Sequence, residues 1–353
     1  MKTRLTLVAA AVLALPTLAQ AQSNVEIYGR IDVGVNVVRT GATATTAKRT
    51  DKLVSSDTPW LGFRGTEDLG GGLRAFFKME HGFNPDTGTQ AIPAQFWNRE
   101  AYVGLGSSSY GNITLGSHYT PALWMTGRID PFRRSNTGAV FPMFQQPIAG
   151  LVGFTPWVGN AIQYTSPLLA GIQAKILVGT SEGLATGGRP LSTSLDYTSG
   201  GFFGAVTYDR MRVPGAPVGR PTVPWVDQTT WMLGTTYKFS MLKLHGYYIN
   251  TDVDGAPGMT GGMVGVSVPV GTGEFAFSAI RRNAEDVANS DGQTLALQYT
   301  HFLSKRTWLY VGGAHQSNKG NANHGIWPAR MDMGPSPAGA DLDGLNIGMR
   351  HHF

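Results

Sequence analysis

Residues 25–38, VEIYGRIDVGVNVV, alternate strictly. Val25, Ile27, Ile31, Val33, Val35 and Val37 fall on one face, and Glu26, Tyr28, Arg30, Asp32 and Asn36 on the other. Period two is the side-chain period of a β-strand. A soluble sandwich would not usually load its second face with a Glu, an Arg and an Asp so regularly, whereas a water-filled lumen would. The same pattern predicts strands at 56–66, 72–83, 95–105, 112–119, 160–167, 171–180, 192–198, 202–210, 229–239, 241–251, 260–270, 274–283, 293–302, 307–317 and 341–353, sixteen with the first. Single-chain bacterial barrels require an even number.

Parity assigns directions. In the hairpin of 56–66 and 72–83, Leu61, Phe63, Leu73, Ala75, Phe77 and Met79 point outward and Arg64, Arg74, Lys78 and Glu80 inward, with Glu67-Asp68-Leu69-Gly70-Gly71 as the turn. Residues 166–171, 199–201, 271–273 and 303–306 are further short turns, and the intervening connections run long. Short periplasmic turns alternating with long extracellular loops characterise outer-membrane barrels and put both chain ends at the periplasmic rim. Tyr164, Tyr197, Tyr237 and Tyr299 share parity with the apolar face close to the short turns, as an interfacial belt requires. At the other rim Trp97 shares outward parity with Ala101, Val103 and Leu105, which would also turn Arg99 outward and force it to snorkel to the headgroups. The fold class expected is all-β: a 16-stranded antiparallel transmembrane β-barrel.

The connection at 120–159 is different. A 40-residue loop is unusual without a purpose. Phe132, Val140, Phe141, Met143, Phe144, Ile148, Leu151, Val152, Phe154 and Trp157 make it too apolar to be left in water. The inside wall of the barrel is the surface available, so this third long loop is expected to fold into the lumen and carry Arg128, Arg133 and Arg134, against the single Asp130, to its narrowest point.

Composition agrees. The 47 Gly and 20 Pro suit many short strands with frequent turns. Beyond residue 21 no stretch approaches the ~18 unbroken apolar residues of a spanning helix, which excludes a helical membrane protein. Residues 1–21 begin with Lys2 and Arg4, continue apolar from 5 to 15 and end Ala19-Gln20-Ala21, the order of a cleavable secretory signal, which leaves 22–353 as the barrel domain. Cleavage removes two cations, so a formal charge of +5 falls to +3. No basic run tracks a phosphate backbone, so nucleic acid is not an expected partner. With no cysteine, the chain has neither disulfides nor thiolate metal sites.

Catalytic motifs are weak. Gly179-Thr180-Ser181-Glu182-Gly183 matches Gly-x-Ser-x-Gly but runs from a strand into a glycine-rich loop, whereas a nucleophile elbow turns into a helix. Asp252-Val253-Asp254-Gly255 and Asp341-Leu342-Asp343-Gly344 are calcium-loop fragments without the remaining ligands, read as loop solvation with weak divalent-ion binding as the alternative. Adjacent His351 and His352 point to opposite faces of a strand and do not easily share a metal; His352 is read as lumen-facing and His351 as interfacial. No cofactor is implied.

With these residues in view, the chain resembles the general diffusion porins of the β-proteobacterial type, trimeric sixteen-stranded barrels of the outer membrane. The resemblance covers the mature chain through VEIYGRIDVGV, LGFRGTEDLGGGLRAFFKMEHGFNPDTG from Leu61, REAYVGLGSSSYGNITLGS from Arg99, NAIQYTSP from Asn160, FLSKRT from Phe302 and the closing GMRHHF. It implies a third loop in the lumen facing basic residues on the wall, here Arg30, Arg64, Arg74 and Lys78. It also implies a homotrimer. Two positions depart from the family pattern: Ser117 stands where Arg is common after the Leu-Gly of the fifth strand, and Gln163 where a basic residue often precedes Tyr-Thr-Ser-Pro.

The expected function is passive diffusion of ions and small hydrophilic solutes, mildly anion-selective, without catalysis. The constriction is assigned to Arg30, Arg64, Arg74, Lys78, Glu80, Arg128, Asp130, Arg133 and Arg134, and Phe353 is the expected assembly signal read by the outer-membrane insertion machinery. The bilayer is the other partner. The rival class is a barrel enzyme or adhesin, whose discriminator, a neighbouring Ser and His pair on lipid-exposed positions, the register does not supply. A soluble secreted β-sandwich comes third, disfavoured by the polar second face and the outward Tyr belt.

Overall fold

The computed structural model describes residues 24–145, 154–180, 189–214, 225–285 and 289–353. The expected leader at 1–21, the loop residues Ile148, Leu151 and Val152, and positions 181–183 of the Gly-x-Ser-x-Gly match lie outside them.

The strands are β1 (Asn24–Thr40), β2 (Arg49–Ser56), β3 (Trp60–Gly70), β4 (Leu73–Asn84), β5 (Thr89–Gln90), β6 (Ala101–Ser107), β7 (Gly111–Tyr119), β8 (Trp157–Thr165) and β9 (Ile172–Gly179). They continue as β10 (Leu191–Ser199), β11 (Phe202–Pro214), β12 (Trp225–Lys238), β13 (Lys243–Val253), β14 (Ala256–Val270), β15 (Gly273–Ala284), β16 (Gly292–Phe302), β17 (Thr307–Asn318) and β18 (Leu342–His352). Neighbours pair antiparallel, and β1 pairs with β18 from Arg30 opposite His352 to Thr40 opposite Leu342, so the sheet closes. β2 and β3 lie end to end along β1, and β5 is a two-residue flap on β4. Among the described residues the wall therefore has sixteen positions. Closure leaves the sheet without a free edge, which is what lets it stand in hydrocarbon.

Alternation sorts the two faces as the sequence pattern predicts. Val25, Ile27, Ile31 and Val35 are exposed on the outside, while Asp32 and Asn36 are buried on the inside. Tyr164, Tyr197 and Tyr237 stand outward beside the short turns. Two of the belt rings have aromatic neighbours close by, Tyr237 with Phe239 at 4.6 Å and Tyr299 with Phe275 at 4.8 Å.

Five boundaries differ from the expectation, each for a local reason. The strand expected at 56–66 begins at Arg49 and is interrupted at 57–59, where Pro59 has no N–H for the ladder and Thr58 takes a φ of 51°. The turn expected at 67–71 is shorter: β3 pairs with β4 down to Gly70, across a bulge, and Gly70, Gly71 and Gly72 turn the chain at φ of 81°, 59° and 78°. The strand expected from 95 starts at Ala101, because the Asn98 side chain accepts from Gly82 N (2.7 Å) and donates to Gly82 O (3.0 Å) in place of a ladder partner. The chain bends there, and Arg99 turns inward instead of snorkelling, while Trp97 stays outward against Phe63. The gap expected at 252–259 is only the turn Asp254-Gly255.

The fifth difference is the third long connection, which ends at Trp157 and contains two helices, α1 (Pro121–Ile129) and α2 (Phe141–Gln145). Thr120 caps α1, its Oγ1 accepting from Leu123 N at 3.2 Å with Pro121 in the first turn, a start signal present in the sequence. Ala122, Met125, Thr126 and Ile129 form its buried face, with Trp124 and Arg128 on the exposed side.

Candidate functional site

Residues 120–145 and 154–156 are held by a dry interface to inward-pointing residues of β11–β15. Leu123, Met125, Ile129, Val140, Met143, Phe144 and Phe154 share one core with Phe203, Met232, Tyr247, Ile249, Met259, Met263 and Ile280. Glycines on that wall are the sockets. A Cβ on Gly261 would stand 2.3 Å from the Phe144 ring, and one on Gly234 2.8 Å from Met125 Sδ and 3.0 Å from Ile129 Cγ2. Polar contacts fix the register: His245 Nδ1–H donates to Ile129 O (2.7 Å), Ser278 Oγ to Gly138 O (3.3 Å) and Asn136 Nδ2 to Gln298 Oε1 (2.8 Å).

Between the helices the chain makes a tight turn around Asp130. Its buried carboxylate accepts from Phe132 N (2.8 Å), Val140 N (2.8 Å) and Arg134 N (3.1 Å). Burial pushes the Asp130 carboxyl up to about 7, against the opposing pull of those N–H donors and of the Arg134 guanidinium. Arg133 and Arg134 take left-handed φ values of 56° and 59°, a cost on the order of 1–3 kcal/mol each that the carboxylate scaffold sustains. Asp130 was expected as a pore charge; its place is inside this turn, where it organises the arginines on either side.

The other expected residues divide by wall and loop. Arg64 pairs with Glu26 (2.7 Å), both half-exposed, and lies over the Tyr28 ring at 4.6 Å. Lys78 bridges Glu80 (2.9 Å) and Glu100 (2.6 Å). Glu80 also meets Arg99 (3.3 Å) and accepts from Tyr28 Oη (2.9 Å). Arg74 donates to Asn112 Oδ1 (3.1 Å), and Arg30 to Asp57 O (3.1 Å) and Thr58 O (2.7 Å). On the loop, Arg128 lies 3.8 Å over the Phe203 ring and donates to Thr198 Oγ1 (3.4 Å). Arg133 pairs with Glu274 (3.1 Å), and Arg134 donates to Leu123 O (3.1 Å). Burial lowers Arg134 from the ordinary guanidinium range.

Trp124 joins loop to wall, with Lys78 Nζ 5.4 Å and Arg134 Cζ 5.6 Å from its ring centre. The two expected cation sets therefore meet at one ring. Sequence reasoning missed Trp124, Arg99, Glu100, Asp57 and Arg350. Parity alone finds Arg350, which pairs with Asp32 on the same inward face as His352. Asp57 follows the strand beginning at Arg49, which the pattern did not place.

The family model described as Gram-negative porin matches residues 6–321. An outer membrane porin protein of Bordetella pertussis is 30% identical over 408 residues, covering 99% of this chain and 99% of its own. Outer membrane porin protein 32 of Delftia acidovorans is 30% identical over 364 residues, covering 98% and 99%. Among solved structures, an anion-selective porin from Comamonas acidovorans superposes with a TM-score of 0.80 at 27% identity over 94% of this chain and 100% of that one. A closed sixteen-position barrel with apolar outside, charged inside and full-length likeness to such proteins belongs to the Gram-negative porin family, a channel of the outer membrane.

Proposed function

We propose that this porin is a passive, anion-preferring channel without catalysis, narrowed by residues 120–156 lying in the lumen. The observation that carries the reading is the partner chemistry of its cations. Glu26, Glu80, Glu100 and Glu274 are taken up by Arg64, Lys78, Arg99 and Arg133. Arg74, Arg128 and Arg134 instead contact an amide oxygen, a hydroxyl, a carbonyl and aromatic rings, and among the described residues no carboxylate pairs directly with them. In an aperture with low-dielectric walls, fixed charges are screened less completely than on an open surface, so a small excess biases which ions enter. The Comamonas relative is described as anion-selective, in the same sense.

The test is the zero-current potential of the purified protein in a planar bilayer across a potassium chloride gradient. A potential on the chloride side that shrinks as salt rises supports the reading, and a potassium-side potential overturns it.

Assembly follows the family likeness. The barrel is read as one protomer of a homotrimer, exported with residues 1–21 removed. Phe353 is read as the residue presented to the insertion machinery; its backbone bonds Gly29 in both directions (3.1 and 3.2 Å) and its ring covers that glycine. A chain ending at His352 should give a lower outer-membrane yield, and normal yield would remove this role.

A further inference from the structure

We infer that Asp57 is a positioning residue that fastens two long loops to one point of the wall, so that 120–145 and 319–341 are held, and released, together. The inference rests on the reading that 120–156 narrows the pore.

The geometry is that of a shared carboxylate. Asp57 is fully buried in the interruption between β2 and β3; its N–H still bonds Asp32 O of β1 (3.1 Å), and it continues the inward parity of the buried Ser55. Its Oδ2 accepts from Asn136 N at 2.5 Å, at the tip of the turn that follows Asp130. Its Oδ1 accepts from Trp327 Nε1 at 2.8 Å, in the connection between β17 and β18. The Arg350 guanidinium of β18, already paired with Asp32, also stands 3.6 Å from Oδ2, so the two buried carboxylates share its charge. One side chain thus joins the wall, both loops and the closing strand. The loops also touch directly, with the Phe141 and Trp327 rings edge-on at 5.6 Å. That second contact is apolar and survives loss of the indole N–H, so the role of the carboxylate can be isolated.

Hydrogen bonds to a charged acceptor fix geometry more strongly than neutral ones, and removing one donor leaves the carboxylate free to rotate away from the other. The consequence is remote: a change at Trp327 should be felt at Asn136.

The experiment compares Trp327→Phe, Asp57→Asn, Asp57→Ala and the pair Asp57→Ala/Trp327→Phe with the wild type, in bilayers and by amide hydrogen exchange of the intact barrel. Trp327→Phe keeps the ring against Phe141 and should speed exchange at the Asn136 amide and raise the closed-to-open ratio at a fixed high voltage by roughly tenfold. Asp57→Asn, with one accepting oxygen, should do the same, Asp57→Ala more. The pair should do no more than Asp57→Ala, because both changes cut the same connection. Wild-type exchange at Asn136 in Trp327→Phe, or additive effects in the pair, overturns the inference. If Asp57→Ala does not assemble, Trp327→Phe and Asp57→Asn decide it by the same two readouts. Arg133→Glu/Arg134→Glu serves as the control: if it shifts ion selectivity while the other variants behave as wild type, the fastening fails and the constriction stands. If it shifts nothing, the constriction reading itself has failed.

Discussion

The inner face of this barrel is two surfaces with one parity. Along β1, β3, β4 and β6 inward positions carry Glu26, Arg64, Arg74, Lys78, Glu80 and Tyr102, paired or stacked on a charged wall that is wet at Glu26 and Arg64 and buried at Glu80. Along β11–β15 the same parity carries Phe203, Met232, Tyr247, Ile249, Met259, Met263 and Ile280, sealed under the loop in a dry core. The strand period says which way a residue points and nothing about what it meets there. What it meets is decided by which wall the segment 120–156 covers, so the two halves should respond oppositely to truncation and to charge.

The largest effect is expected on the dry wall. Phe144→Ala removes a fully buried ring from its socket over Gly261 and should cost about 3–5 kcal/mol of loop packing, read as faster amide exchange across α1 and α2. The barrel ladder should keep its protection. Gly234→Leu should come next: already its Cβ would strike Met125 and Ile129 of α1, so single-channel conductance should change while the added group carries no charge. Unchanged conductance would mean that α1 does not border the ion path.

A pH scan should act through Asp130, whose folded-state pKa of about 7 lies above the ~3.9 of an unfolded Asp. The sign follows from linkage. The folded protein holds the proton more tightly, so the stabilisation is fully present below the unfolded value and is lost as pH rises through about 7. Lowering pH from 8 to 6 should raise the protection of residues 131–140 measured relative to the intrinsic exchange rate at each pH. Asp130→Asn should abolish that pH step. The smallest effect belongs to the wet wall: Arg64→Ala, breaking a half-exposed pair, should cost no more than about 1 kcal/mol of thermal stability. A loss as large as that of Phe144→Ala would erase the distinction between the walls.

Much of this was legible in the sequence, because barrel strands advertise themselves by period. The outward Tyr set and the inward Arg64, Lys78 and Glu80 came from parity alone, and the apolar run of 120–159 announced a segment that had to be covered. The failures lie where period stops. The strand beginning at Arg49, which the pattern did not place, sets Asp57 inward just before the break at Pro59, and the Asn98 amide replaces a ladder rung and turns Arg99 inward. The dry inner wall was legible in part: Met259, Gly261, Met263 and Gly265 alternate without a charge, a pattern that fits a covered face better than a wet one.

The central claim is that the arginines carried by 120–156 set the ion preference. Replacing Arg133 and Arg134 together with Glu changes the charge of that segment from +2 to −2 and puts a carboxylate against Glu274 in place of an ion pair. The account predicts that the zero-current potential in a salt gradient moves from the chloride side toward potassium, and that the move shrinks at high salt. A double variant with the selectivity of the wild type would contradict it.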